Sequence, residues 1–213
     1  MIESFAPYLP GFIAAYAILL VAALSPGPAV ALLLGIGMTQ GRAAALITTA
    51  GIASGSILLN ILTLTGIGLI VSQAAWAMTV LRWIGAAYLI WLAYGACRKA
   101  AVPPPPLAVT EAPRQSVLRL FGIGFALQAT NPKAVVFWIA INAVGATAGA
   151  GAGVLAVYIV GAFVISFACH GAWALALSSS PARLGYAKAR RYVEGALGAF
   201  FTFAAFKLAV ERS

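Results

Sequence analysis

The sequence predicts an all-α integral membrane protein with six transmembrane helices, arranged as a 3+3 inverted repeat, whose first and fourth helices are broken at proline motifs. Three observations support this fold class. The chain is too apolar for a soluble domain, since 63% of its 213 residues are hydrophobic and 8% are charged, against roughly 45–50% and 25% in soluble domains. Six apolar segments are long enough to cross a bilayer. Prolines interrupt two of them at corresponding places in the two halves of the chain.

The charge and cysteine content exclude several other classes of protein. Thirteen Lys and Arg against four Asp and Glu give a net charge of +9, but the basic residues are too few and scattered to form a nucleic-acid-binding face. In a membrane protein, such an excess reports which loops stay in the cytoplasm. Cys97 and Cys169 form no C-x-x-C pair, which disfavours a disulfide framework. We therefore expect contact with membrane lipids and no binding of nucleic acid.

Six segments are predicted as transmembrane helices, because a crossing needs about 20 mostly apolar residues. They cover residues 8–37, 43–70, 73–96, 117–144, 152–177 and 191–210. The first and fourth are longer than a straight crossing requires at about 1.5 Å per residue. Each contains a proline near its middle, so we predict a break in both helices.

A proline-rich linker separates two triplets of helices. It contains four consecutive prolines at 103–106, which cannot continue a helix. We interpret it as a stiff tether rather than as a docking motif for a partner. The predicted division is an N-terminal three-helix repeat at 1–96, a cytoplasmic linker at 97–116 and a C-terminal three-helix repeat at 117–213.

The loops differ in charge, and this difference predicts the orientation of the chain. The loops after the first, third and fifth segments contain Arg42, Arg98, Lys99, Arg114, Arg119, Arg183, Lys188, Arg190 and Arg191. The loops after the second and fourth segments contain no basic residue. The positive-inside rule places the basic loops in the cytoplasm. Both termini then lie on the outer side of the membrane.

Weak internal similarity indicates a repeat. An offset of 110 residues pairs Gly41 with Gly151, Gly51 with Gly161, Ser56 with Ser166, and Asn60 with His170. Pro26 and Pro132 each lie in the first helix of their half. Because each half contains an odd number of helices, the two copies must face opposite ways across the membrane. Many secondary transporters have this design.

Two proline motifs lie inside the predicted spans. Ser25-Pro26-Gly27-Pro28 interrupts the first span, and Thr130-Asn131-Pro132-Lys133 interrupts the fourth and adds a cation. Broken backbone is tolerated in hydrocarbon only where it is buried in protein or lines a wet cavity. The half-helix after each break directs free amides and a positive dipole end into the membrane. We interpret both motifs as binding elements rather than as simple kinks.

Few other polar side chains lie within the predicted spans. Ser56, Asn60 and Thr63 share one face of the second helix, and Ser166, His170 and Trp173 share one face of the fifth. The hydroxyl groups are expected to make interhelical hydrogen bonds. Asn60 and His170 occupy corresponding places in the two halves, and each fits a binding site and a scaffold equally well.

The acidic residues are sparse. The chain has no aspartate, and its glutamates, at positions 3, 111, 194 and 211, are expected outside the spans or at their ends. A metal site would require buried carboxylates or a Cys/His cluster. An intramembrane hydrolase would require an aspartate pair, a zinc motif or a serine with a base; Ser166 and His170 lack an orienting acid. We therefore expect neither an enzyme nor a metal nor a cofactor.

Four motifs in this order resemble the LysE/RhtB family of bacterial amino-acid exporters. They are Ser25-Pro26-Gly27-Pro28, Gly41-Arg42, Gly85-Ala86-Ala87-Tyr88-Leu89 and Asn131-Pro132-Lys133-Ala134. The resemblance implies a six-helix exporter in the bacterial inner membrane, driven by an ion gradient; in that membrane, the orientation predicted from the loop charges places both termini in the periplasm. Family members often carry an acidic residue where this chain has Ser56. In its absence we predict His170 as the proton-coupling group, because imidazole titrates nearest to neutral pH.

These features together predict a secondary active exporter of amino acids or close derivatives. The substrate carboxylate is expected at the half-helix N-termini near the midplane of the membrane. The predicted substrate-binding residues are Ser25, Pro26, Gly27, Pro28, Asn60, Asn131, Pro132 and Lys133. Neutral amino acids are favoured, since no buried acid is predicted that would pair with a cationic side chain. The alternatives are efflux of another small anionic or zwitterionic metabolite and a membrane scaffold that transports nothing. A homo-oligomer is compatible with the sequence.

Overall fold

The computed structural model is α-helical over the residues it describes, which are 5–73, 75–102, 113–145, 147 and 149–210. Within these ranges, a 3₁₀ turn at Ala6–Tyr8 precedes eight α-helices. These are α1 (Leu9–Leu24), α2 (Pro28–Thr39), α3 (Gly41–Gln73), α4 (Ala75–Ala101), α5 (Val117–Thr130), α6 (Pro132–Val144), α7 (Ala152–Leu177) and α8 (Ser180–Val210). The four prolines of the predicted linker lie outside the described residues.

Among the described residues, three helical stretches are long and apolar enough to cross a membrane. They are Ala6–Leu24, Gly41–Gly66 and Ala152–Leu177. Three shorter apolar helices cover Pro28–Thr39, Val117–Thr130 and Lys133–Val144. Helices suit a bilayer because they satisfy their own backbone hydrogen bonds in hydrocarbon. The chain is a helical membrane protein.

Two pairs of short helices follow each other closely along the chain. α1 ends at Leu24 and α2 begins at Pro28, with Ser25 and Gly27 in extended backbone conformations. α5 ends at Thr130 and α6 begins at Pro132, with Asn131 extended between them. Proline suits the first position of a helix, where its missing N–H would have no intrahelical partner.

The chain divides into two compact units that each draw on both halves of the sequence. The first comprises Met1–Gly68 and Val109–Ser179, and the second comprises Leu69–Ala108 and Ser180–Ser213. The first unit therefore contains α1, α2, α5, α6, α7 and most of α3. In the second unit, α4 packs along α8.

Close glycine contacts set the distance between α3 and α5 in the first unit. A Cβ atom at Gly51 would collide with the carbonyl group of Phe121, and one at Gly124 would collide with the carbonyl group of Thr48. The two backbones therefore touch directly, as is usual for small residues between membrane helices. An apolar core surrounds this contact: Ala29, Leu33, Ile36, Ala44, Ala45, Ile52, Leu120 and Ala174.

The position of Glu194 in the second unit differs from the expectation. α8 begins at Ser180, well before the apolar segment that starts at 191, so Glu194 lies near the middle of a helix and is only 3% exposed. The expectation that no acidic residue would be buried was wrong for Glu194. Ser180-Pro181 is a favourable helix start, and the Ala, Arg and Lys residues that follow are good helix formers. Hydropathy alone does not detect such an extension.

Candidate functional site

A small cavity lies in the first unit, beside the segment between α1 and α2 and the start of α6. Its volume is about 40 Å³, which accommodates about three water molecules at ~10–15 Å³ each. Its polar lining comprises Ser25, Ser56, Gln128, Asn131, Lys133, Ser166 and His170. Residues of α1, α2, α3, α5, α6 and α7 all contribute to the walls. All six of these helices therefore meet at the cavity.

Lys133 brings a charged group to this cavity. It lies in the first turn of α6 and is only 8% exposed. Its Nζ donates a hydrogen bond to the carbonyl oxygen of Ser25 at 2.9 Å and another to the hydroxyl oxygen of the same residue. The ammonium also lies 5.9 Å from the ring centroid of Phe137. The ammonium group at the start of α6 thus contacts the backbone at the end of α1.

The backbone geometry of Ser25 explains why its carbonyl can accept from a lysine. The residue ends α1: its N–H donates to the carbonyl of Val21 at 3.0 Å, and its hydroxyl donates to the carbonyl of Ala22 at 2.9 Å. Its own backbone is extended, with ψ at 128°, so its carbonyl lies beyond the regular helix. Carbonyl groups at a helix C-terminus carry partial negative charge. A cation is therefore favoured at this position.

Asn131 and Gly27 position the lysine. The Asn131 side-chain oxygen accepts a hydrogen bond from the backbone N–H of Lys133 at 3.1 Å, so Asn131 caps the N-terminus of α6. A Cβ atom on Gly27 would lie 3.2 Å from the Lys133 Nζ. The Gly27 backbone is extended, with φ at −165°, a conformation open to any residue. What Gly27 provides is space for the ammonium.

A second group of polar side chains forms a continuous hydrogen-bond network along the cavity. Gln128 Nε2 donates to Ser56 Oγ at 2.8 Å, and Ser166 Oγ donates to Ser56 Oγ at 3.3 Å. His170 Nδ1 lies 2.8 Å from the Ser166 carbonyl oxygen. Since a carbonyl oxygen only accepts, Nδ1 carries a proton in this arrangement. This network of hydrogen bonds links α5, α3 and α7.

Asn60 belongs to a different polar network. Its side chain is fully buried, and neither amide atom has a hydrogen-bond partner within the described part of the chain. Its backbone carbonyl accepts from Asn142 Nδ2 at 3.2 Å, and Asn142 also bonds to Thr63 at 2.6 Å and to the Tyr158 hydroxyl at 2.9 Å. Tyr16 donates to the backbone carbonyl of Tyr158 at 3.0 Å. This network joins α3, α6, α7 and α1.

The structure brings most of the predicted binding residues to one place. Ser25, Gly27, Pro28, Asn131 and Lys133 line the cavity, together with the predicted coupling residue His170. Pro26 lies between α1 and α2 and is not among the lining residues, and Pro132 begins α6. Asn60 is not among them either.

The lining residues that were not predicted include Gln128, Phe137 and Trp138. Gln128 is a polar residue inside an apolar segment, shortly before the Asn-Pro-Lys motif, and that polarity was a usable signal. The two aromatic residues gave none, because aromatic side chains in a span usually pack against other helices. No group of three or more His, Cys, Asp or Glu residues able to hold a metal occurs in the described ranges.

Comparison with known proteins shows the family. The chain matches the family model described as LysE type translocator over residues 20–212, which covers both proline motifs. The protein therefore belongs to this family of translocators, and the predicted resemblance to LysE/RhtB proteins is confirmed. No solved structure matches the chain.

Individual relatives are efflux proteins by name. The chain is 42% identical over 77 residues to the homoserine/homoserine lactone efflux protein of Salmonella typhimurium, covering 36% of this chain and 35% of the relative. It is 27% identical over 207 residues to the threonine efflux protein of Escherichia coli, covering 91% and 94%. It is 28% identical over 145 residues to the arginine exporter of Klebsiella pneumoniae, covering 65% of each. The match thus spans about a third of the first relative and nearly all of the second.

Proposed function

We propose that the protein is a secondary active exporter of amino acids or close derivatives across the bacterial inner membrane. The observation that carries this proposal is the buried Lys133, which begins one half-helix and contacts the end of another at a cavity. The family membership supports transport, and the names of the relatives, which export threonine, homoserine or arginine, support an amino-acid substrate.

The substrate carboxylate binds at Lys133 and at the N-termini of α2 and α6. Helix N-termini favour anions, because their backbone N–H groups lack intrahelical partners and the dipole is positive there. The cavity of about 40 Å³ holds about three water molecules, whereas threonine has eight non-hydrogen atoms. The first unit must therefore open before substrate enters, as expected of a transporter that alternates between states.

The inverted 3+3 repeat, with six spans and two proline breaks, is part of this proposal. The predicted counterparts Ser56 and Ser166 contact each other at 3.3 Å, as residues near a two-fold axis would. Gly51 on α3 packs closely against α5, and its counterpart Gly161 on α7 packs closely against Tyr16 on α1. The second predicted helix thus meets the fourth, and the fifth meets the first. Exchanged contacts of this kind support repeats at 1–96 and 117–213 joined by a linker at 97–116.

Neutral amino acids are the favoured substrates in this proposal. None of the described residues lining the cavity is acidic, so a cationic side chain finds only neutral groups and dipoles there. The unpaired charge of lysine or arginine would then be costly to bury. Lys133 itself would repel it.

Replacement of Lys133 tests the proposal directly. Lys133→Ala should abolish binding of neutral amino acids to the purified, monodisperse protein, because the positive charge facing the carboxylate is lost. Lys133→Arg should restore amino-acid binding only in part, because a planar guanidinium places its hydrogen-bond donors differently from an ammonium. Lys99→Ala, which removes an exposed lysine, serves as the matched control and should bind normally. Near-normal binding by Lys133→Ala would contradict the proposal.

A further inference from the structure

The Lys133–Ser25 contact also identifies a position where a primary ammonium is bound. The Nζ of lysine is an R–NH₃⁺ group, which is chemically the same as the α-ammonium of an amino acid. In this structure the Lys133 ammonium donates hydrogen bonds to the carbonyl and hydroxyl oxygens of Ser25. These oxygens belong to a residue that is only 4% exposed and lines the cavity.

The acceptor is built into the backbone rather than into a mobile side chain. Ser25 is fixed by its own bonds to the Val21 and Ala22 carbonyls, and its carbonyl lies at the negative end of α1. Half-helix C-termini and unwound backbone carbonyls bind cations in other membrane transporters. A cation is therefore stabilised at Ser25 whether it comes from Lys133 or from a substrate.

We infer that a free α-amino acid inserts into the Lys133–Ser25 contact, with its carboxylate on the Lys133 ammonium and its α-ammonium on the carbonyl and hydroxyl oxygens of Ser25. This inference rests on the proposed function, in which Lys133 receives the carboxylate. Insertion replaces one cation–carbonyl contact with two charge-assisted contacts, so neither buried group loses a partner. The substrate class is then a zwitterion with adjacent charges.

The space for insertion lies at Gly27. Because a Cβ on this residue would lie 3.2 Å from Lys133 Nζ and 3.4 Å from its Cδ, any side chain there would crowd the lysine. The absence of a side chain lets the ammonium leave Ser25 and turn toward a carboxylate. Gly27→Ala should therefore weaken the binding of amino acids.

A carboxylate without the neighbouring ammonium behaves differently. It can draw Lys133 away from Ser25, but it leaves the buried Ser25 carbonyl without a donor, which is unfavourable. An amine without the carboxylate must compete with Lys133 for Ser25 and brings no carboxylate to the displaced ammonium. Both partial analogues should therefore bind more weakly than the amino acid.

The test compares four probes on the purified wild-type protein by competition or calorimetry. They are L-threonine, 3-hydroxybutyrate, which lacks the ammonium, L-threoninol, which lacks the carboxylate, and N-acetyl-L-threonine, in which the nitrogen is neutral. L-threonine should bind at least about tenfold more tightly than each analogue, equivalent to about 1.4 kcal/mol. Equal binding of 3-hydroxybutyrate and L-threonine would overturn the insertion while leaving the carboxylate site intact. Failure of all four to bind would contradict the proposed function itself.

A serine variant locates the effect. Ser25→Ala removes the hydroxyl contact and should lower the affinity for L-threonine while leaving that for 3-hydroxybutyrate unchanged. Ser54→Ala is the matched control, since the Ser54 hydroxyl donates to the carbonyl of Ala50 in its own helix at 2.9 Å and does not line the cavity. Equal losses for both probes in Ser25→Ala would overturn the assignment of Ser25 to the ammonium.

Discussion

At the scale of single residues, the candidate site depends on how a buried cation is held when none of the described residues lining the cavity is acidic. An ammonium as buried as that of Lys133 is costly unless its donors are satisfied. Ser25 supplies a carbonyl and a hydroxyl, and the C-terminus of α1 adds an opposite dipole, an effect of up to about 2 kcal/mol in partly buried sites. None of the described lining residues is acidic. A substrate carboxylate therefore meets no fixed anion competing for the lysine within this lining.

His170 provides the prediction at this scale. It lines the cavity and is anchored through Nδ1 to the Ser166 carbonyl, and a proton-coupled cycle requires a group that gains and loses a proton. His170→Gln retains polarity but cannot titrate. We expect the variant to bind substrate and to exchange it between equal pools, and to lose export driven by a pH gradient. Both assays use the same proteoliposomes, so the exchange assay controls for folding.

The opposite result for His170 is equally clear. If the His170→Gln variant still concentrates substrate under a pH gradient, the histidine is part of the scaffold. Proton coupling would then lie elsewhere in the chain.

The residues that line the cavity could be predicted where a sequence motif marked them. They could not be predicted where this required knowing how far along a helix a residue lies. Ser25, Gly27 and Lys133 were predicted because prolines and a cation inside a span require an explanation, and all three line the cavity. Asn60 was predicted with them because it corresponds to His170 in the repeat, yet it lies one turn farther along α3 than Ser56 and its backbone bonds to Asn142. Sequence periodicity indicates on which face of a helix a residue lies. It does not indicate which residue of a neighbouring helix lies opposite it.

At the scale of helices, the contact between α3 and α5 depends on two backbones in direct contact. Gly124→Ala should separate them, because the new Cβ meets the backbone of Thr48 and Ile52, at 3.1 and 3.2 Å from the Thr48 carbonyl carbon and the Ile52 nitrogen, and backbone atoms cannot rotate away. Overpacking of this kind costs about 1–3 kcal/mol. Thermal unfolding in detergent should show a lower Tm.

The same helix supplies a matched control. A Cβ on Gly122 meets nothing within 4 Å, so Gly122→Ala should leave the Tm unchanged or raise it slightly, since alanine is the better helix former. Equal Tm values for the Gly122 and Gly124 variants would contradict the packing account.

The ends of the helices were less predictable than their presence. α7 covers the same residues, Ala152–Leu177, as the apolar segment from which it was predicted. α8 begins well before its apolar segment, and α4 continues beyond its own to Ala101. Hydropathy marks where a helix meets hydrocarbon, whereas helix propensity decides where it ends, so a hydropathy rule alone misses the polar extensions and the buried Glu194.

At the scale of the whole molecule, the charge distribution predicts the orientation. In a variant without Cys97 and Cys169, a membrane-impermeant maleimide should label Thr147→Cys from outside intact cells, because the fourth loop is predicted to be periplasmic. Pro113→Cys, in the exposed stretch before α5, should react only after the membrane is permeabilised. Labelling of Pro113→Cys in intact cells would reverse the orientation and place both termini in the cytoplasm.

The proposal of amino-acid export is tested most directly by counterflow in proteoliposomes. Vesicles loaded with an unlabelled neutral amino acid, such as threonine or homoserine, should transiently accumulate the labelled form, while empty liposomes and the Lys133→Ala protein should not. Arginine added outside should compete less well than any neutral amino acid that is transported, because the cavity offers no acid among its described lining residues. Counterflow no greater than in empty liposomes for every amino acid would contradict the account.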